Sequence, residues 1–157
     1  MGPHRCVCAT ITTFDIRPSA NAVSSVTESD TEVFNMTWTY NQTSGTLSRD
    51  GSLVARGYSG HGAGKNNPVM QAVRSVGPIP EGSYTIGTPR HSHHVGAFAM
   101  PLTPDPGTET FGRNAFFMHG DSKSHPGSAS NGCIVISNRA VRERIWLSGD
   151  HQLRVER

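Results

Sequence analysis

HGDSKSHPGSASNGCIV, running from His119 to Val135, joins two short apolar stretches, Ala115 to Met118 and Cys133 to Ile136, through a run of small and polar residues. Apolar runs of that length, bounded by glycine, serine and proline, are read as strands rather than helices. The segment therefore predicts a strand that delivers His119 at its end, a loop, and a second strand entered at Cys133. It also puts a histidine and a cysteine at the two ends of one loop. A thiol is a poor nucleophile at neutral pH until a base or a positive field makes it a thiolate, and an imidazole within hydrogen-bond reach supplies both.

Outward from this segment the same strand grammar continues. In FNMTWTY, Phe34, Met36, Trp38 and Tyr40 alternate with polar residues, the period of a half-buried strand. TLSRDGSLVARGYS reads as a hairpin turning at Asp50 and Gly51, so the domain is expected to open as a β-meander. GAGKNNPVMQAVRSVGPIPEGSY is dense in glycine and proline and reads as a long ordered loop beside the site, with one short helical turn at Val69 to Val73. Gly82 to Ile86 and Ala97 to Leu102 are further strands. Ser137 is expected to cap a helix from Asn138 to Leu147 that Gly149 ends, and Gln152 to Val155 to close the chain as a last strand. The expected class is mainly β, with one or two short helices.

A length of 157 residues suits one domain with a real core. Residues 1–33 are rich in Ser, Thr, Asp and Glu without a sustained period, so they read as a flexible leader, and 34–157 as the folded domain. A net charge of +2 gives no reason to expect nucleic acid or an anionic membrane as the main partner. No apolar run approaches a membrane span or a signal-peptide core, so the chain reads as soluble, without a classical export signal. Cys6 and Cys8 are two apart, where a mutual disulfide would be strained, and Cys133 is expected to be a free thiol.

Cysteine acyl transfer needs a nucleophile, a base, something that orients the base, and donors for the oxyanion. Cys133 and His119 fill the first two roles. Asp121, two residues beyond His119, either fixes the imidazole tautomer or makes only a local turn with the backbone that follows it. Gly120 leaves room for a substrate. Ser130, Asn131 and Gly132 form a turn whose amides, with that of Cys133, could converge on a carbonyl oxygen, although Ser130 could equally serve the turn alone. His125, in the intervening loop, reads as solvent-exposed.

His-Gly, a spacer, then Ser-x-Gly-Cys and an aliphatic residue resembles the signature of the YkuD-like L,D-transpeptidases, a β-sandwich or meander fold whose cysteine attacks peptidoglycan stem peptides. MTWTYNQTSGTL, GYSGHGAGKNNP, VGPIPEGSYTIG, HGD and SASNGCIVIS, in that order, resemble the type VI secretion L,D-transpeptidase effectors, which are antibacterial toxins. The resemblance implies Cys133 as nucleophile, His119 as base and Asp121 as the motif aspartate. Asn131 stands where the housekeeping enzymes usually carry a second histidine, and Val135 where they usually carry an arginine. The substrate contact of that arginine is then absent or made by another residue. Tyr58, His61, Asn66 and Asn67 in the glycine-rich loop are candidates for groove contacts.

The implied substrate is a peptidoglycan tetrapeptide stem, attacked at the bond between the diamino acid and the terminal D-alanine. Water resolving the thioester gives an L,D-carboxypeptidase, and a D-amino acid or second stem gives an L,D-transpeptidase. No cofactor or resident metal is implied. The implied partners are type VI secretion delivery components and a cognate immunity protein, with action in the periplasm of a target bacterium after secretion from the producer's cytoplasm. Two other classes compete: a zinc-dependent wall hydrolase built on His91, His93 and His94, and a non-catalytic wall-binding module that has kept the fold.

Overall fold

The computed structural model describes residues 37–157, so the expected leader, with Cys6 and Cys8, and the first residues of FNMTWTY lie outside the described residues. Ten strands follow: β1 (Trp38–Asn41), β2 (Thr46–Arg49), β3 (Ser52–Arg56), β4 (Tyr58–Ser59), β5 (Gly82–Ile86), β6 (Arg90–Ser92), β7 (Gly96–Pro104), β8 (Phe116–His119), β9 (Ile134–Val135) and β10 (Gln152–Glu156), with one helix, α1 (Arg139–Leu147). The mainly β class with a single short helix stands.

Nine of these strands form one sheet in the order β3-β2-β1-β10-β5-β7-β8-β9-β4, and β6 pairs with β7 off that path. The opening meander β1–β2–β3 is antiparallel, turning at Asp50 (φ 50°) and Gly51 (φ 73°). Two pairings are parallel, β1 with β10 and β8 with β9. The two ends of the path, β3 and β4, are consecutive in the chain and separated only by Gly57, so the sheet bends round into a nearly closed barrel rather than two facing layers. That corner requires glycine: a Cβ on residue 57 would sit 2.0 Å from the Val135 carbonyl oxygen and push β4 away from β9.

Alternation decides which side chains fill the interior. Trp38, Tyr40, Leu47, Tyr84, Met118 and Ile134 are fully buried in one core cluster, and Ile145 of α1 joins it from outside the sheet. The N-cap of α1 is Asn138 rather than Ser137. Asn138 is extended (φ −73°, ψ 112°), and its side chain accepts from the Ala140 amide at 2.9 Å, while the Ser137 carbonyl is taken by the Arg142 guanidinium at 3.2 Å. At the other end Gly149 takes the left-handed conformation (φ 74°), as expected.

Two further expectations change in detail, and one strand is new. The helical turn at Val69 to Val73 is a 3-10 turn at Pro68–Met70, preceded by another at Gly62–Gly64. β6 carries no alternation that would have revealed it. Cys133 is not in β9: the chain bends through Asn131, Gly132 (φ 123°) and Cys133, and the strand begins at Ile134, so the cysteine sits on the turn before it.

Candidate active site

His119 ends β8, which is laddered to β7 on one side and to β9 on the other. Met118 pairs with Ile134 and both face the core, so His119 and its partner Val135 fall on the alternate face. Cys133 immediately precedes β9 and meets the Phe117 amide, and His119 lies two residues beyond Phe117 in the neighbouring strand. The nucleophile and base candidates therefore stand on adjoining segments, with no hydrogen bond between them. The Cys133 Sγ, a free thiol, points to the Ala115 carbonyl at 4.0 Å.

The imidazole is buried, and its Nδ1 is 2.7 Å from the Gly120 carbonyl oxygen. A carbonyl only accepts, so Nδ1 carries the proton and Nε2 keeps its lone pair. Nε2 is buried with no hydrogen-bond partner among the described residues. Burial, aided by the charge of Arg142, holds the His119 pKa below the usual histidine value, against the Gly120 carbonyl and Asp121, which pull it up. The base is therefore neutral and poised to accept at Nε2.

Of the two readings of Asp121 the structure shows the local turn, and the contact that fixes the tautomer is made by the Gly120 carbonyl. The carboxylate instead accepts from Tyr58 Oη at 2.6 Å, the Ser122 amide at 2.8 Å and the Gly127 amide at 2.9 Å. Burial opposes ionisation of Asp121, but these donors and the Lys65 charge together hold its pKa below the usual carboxylate value. Tyr58 also accepts from the Ala129 amide at 2.9 Å, so one phenol ties both ends of the loop together. Its pKa is pushed up to about 12, by burial first and then by Asp121. Tyr58 thus clamps the loop.

Ser130 organises the cysteine turn. Its buried Oγ donates to the Cys133 carbonyl at 2.7 Å and accepts from the Gly60 amide at 2.9 Å and the Gly132 amide at 3.0 Å. The Gly132 amide is thereby spent inside the turn and not offered to an oxyanion. Asn131 is exposed, and its carbonyl accepts from Arg113 at 3.4 Å. His61 Nδ1 lies 3.2 Å from the Ser130 carbonyl oxygen. Asn66 and Asn67 are also committed to the loop. Asn66 Oδ1 accepts from the Ser59 amide at 3.0 Å, and Asn67 accepts from the Val69 amide at 3.2 Å while donating to the Ala63 carbonyl.

Open space flanks both residues. A cavity of about 200 Å³ is lined by Cys133, Gly132, Asn131, Arg113 and Arg74. One of about 420 Å³ lies on the imidazole side, lined by His119, Gly120, Asp121, His94 and the exposed His125. His91 and His93 meet edge to face at 5.8 Å, and among the described residues no three His, Cys, Asp or Glu side chains gather as a metal would require.

Two buried arginines escaped the sequence reading. Arg142 of α1 bonds the Ile136 carbonyl and the Phe98 carbonyl (3.3 Å), and its guanidinium lies 3.1 Å from where a Cβ on Gly120 would stand. Arg113 donates to the carbonyls of Gln71, Pro78 (2.6 Å), Gly77 (3.0 Å) and Asn131, joining the glycine-rich loop to the cysteine turn. Neither sits in a periodic pattern that would have marked it as buried.

No curated protein matches the chain. The Tlde1 domain model matches residues 54–156, from β3 through β10, taking in the clamp, the histidine strand and the cysteine turn. That span is well over half of the chain, and with this site within it the chain belongs to the Tlde1 domain family, the type VI secretion L,D-transpeptidase effectors, antibacterial proteins that modify peptidoglycan.

Proposed function

We propose that the protein is a cysteine L,D-carboxypeptidase and L,D-transpeptidase that cuts peptidoglycan tetrapeptide stems between the diamino acid and the terminal D-alanine. What supports this reading is a free thiol one residue before β9 and, at the end of the adjoining strand β8, an imidazole whose Nε2 is buried and, among the described residues, unpartnered. In the proposed cycle the Cys133 S–H proton passes to Nε2 of His119, and the sulfur adds to the stem carbonyl. The C–N bond then breaks, and the departing D-alanine amine takes the proton from Nε2. A thioester remains. Water resolves it to a tripeptide, and a D-amino acid or a second stem resolves it to an exchanged or cross-linked product.

Because Ser130 already holds the Gly132 amide, the proposal assigns the oxyanion to the Cys133 amide and to donors brought in with the substrate. Asp121 and Tyr58 act as positioning residues that hold the loop between base and nucleophile. The proposal takes residues 1–33 as a leader dispensable for turnover, the target cell's periplasm as the place of action, and a cognate immunity protein that covers the groove as the producer's protection.

Mass spectrometry of purified disaccharide tetrapeptide incubated with the protein tests this directly. Loss of D-alanine, or its exchange for an added D-amino acid, is expected, and both should vanish in Cys133→Ala. An unchanged substrate, or full activity of that variant, would overturn the reading. In cells, the protein fused to a secretory signal should be toxic and its Cys133→Ala form harmless; equal toxicity would show that the harm is not this chemistry.

A further inference from the structure

Arg113 is buried, yet among the described residues no carboxylate lies within ion-pair distance of it. Its partners are four neutral carbonyls and the face of the Phe116 ring, 5.4 Å from the guanidinium carbon. A buried cation without a counter-ion is costly, and hydrogen bonds to carbonyls compensate it only in part. One Nη2 would be 2.0 Å from a Cβ on Gly132, so the glycine next to the cysteine exists in part to admit this charge. Arg113 and Cys133 line the same cavity.

We propose that Arg113 is the counter-charge of the Cys133 thiolate, a positioning residue that keeps the nucleophile ionisable while His119 serves only as proton carrier. The inference rests on Cys133 being the nucleophile. When Cys133 ionises, its sulfur keeps the S–H electron pair, the proton goes to Nε2 of His119 or to solvent, and Arg113 stays protonated throughout. The charged and titratable groups around the thiol fit this division. Arg113 precedes β8, exposed Arg74 comes from the glycine-rich loop, His119 ends β8, and the cavity lining contains no acid. Burial pushes the thiol up; the Phe117 amide and the Arg113 charge pull it back, in that order. His119, held neutral by burial and by Arg142, is not available as a standing positive partner.

The test is the pH dependence of alkylation by iodoacetamide in the full chain, followed on the tryptic peptide Ser124–Arg139, which separates Cys133 from Cys6 and Cys8. The midpoint in His119→Ala is expected to match the wild type. In Arg113→Met it should rise by about one unit or more, seen as about tenfold slower alkylation at pH values below both midpoints. Arg113→Lys, which keeps the charge, should stay near the wild type. An unmoved midpoint in Arg113→Met, or a raised one in His119→Ala, overturns the proposal. Should Arg113→Met not fold, the other two variants decide: a midpoint raised by a unit in Arg113→Lys or His119→Ala overturns it, and retained midpoints support it. The readout needs no peptidoglycan, so its failure is separate from failure of the enzyme reading, which would show as turnover by Cys133→Ala.

Discussion

The two halves of the site are held by different forces. His119 sits at the end of a strand with backbone ladders on both sides, and its own carbonyl accepts from the Ile136 amide at 2.9 Å. Cys133 sits on a turn whose shape comes from side chains: Ser130 from within, Arg113 from behind, and Tyr58 with Asp121 through the preceding loop. A ladder is indifferent to most substitutions because its bonds are backbone to backbone. A turn held by three or four side chains is not. The base should therefore be robust to mutation nearby, and the nucleophile easily misplaced.

The largest effect should come from the reacting groups themselves. Cys133→Ala is expected to abolish stem turnover with little change in melting temperature, since a half-buried thiol on a turn contributes little packing. His119→Ala should lower turnover nearly as far, and the double variant no further than either alone, because the two act as one unit. Turnover by the double variant well below both singles would show two independent machines.

Next should come Ser130→Ala. It strands the Gly60 and Gly132 amides without their acceptor, at roughly 1–3 kcal/mol for each buried group left unpaired. Displacing the nucleophile should lower turnover about a hundredfold. The matching change behind the histidine, Met118→Leu, keeps every ladder bond and should cost under about 1.5 kcal/mol with near-normal turnover. Equal losses in the two variants, measured by chemical unfolding and stem hydrolysis, would erase the contrast.

Asp121→Asn and Tyr58→Phe are each expected to reduce turnover about tenfold, and together no more than about tenfold, because they break the same 2.6 Å contact. A thousandfold loss in Asp121→Asn with a displaced pH profile would mean that the carboxylate acts on His119 directly. The smallest effect concerns pH and stability. The folded His119 pKa lies below its unfolded value near 6.5, so the unfolded chain binds more protons there. Stability contributed by His119 is thus complete above that value and lost as pH falls through the folded pKa. Melting curves from pH 7 to 5 should fall less steeply for His119→Gln than for the wild type; parallel curves would mean that the imidazole is not held neutral by its site.

Legibility followed the same division. Trp38 and Tyr40 were readable as inward residues because a strand's period is two, and Asp50-Gly51 because few residues tolerate the backbone of a tight turn. Gly82–Ile86 emerged with the expected boundaries. His119 was legible as a strand end for the same reason. For Asp121 the local turn with the Ser122 amide was legible as one of two readings, whereas its other partners were not: Tyr58 is 63 residues away and Gly127 lies across a loop without period. The bonds of Asn66 and Asn67 to the Ser59 and Val69 amides were not legible, because asparagine in a glycine-rich loop carries the same letter whether it meets a ligand or the loop's own amides.

What the sequence determined by itself was local: strand periods, turn residues, the helix and its terminal glycine, and the His-Gly-Asp and Ser-x-Gly-Cys motifs whose order points to a cysteine enzyme of this family. The tertiary structure alone decided which strands became neighbours. The parallel pairs β1–β10 and β8–β9, and the closure of the sheet at Gly57, depend on contacts between segments far apart in the chain. So does the burial of Arg113 and Arg142, because a charged side chain announces its charge in the sequence, whereas the carbonyls that surround it come from other elements and exist as a site only once those elements have packed.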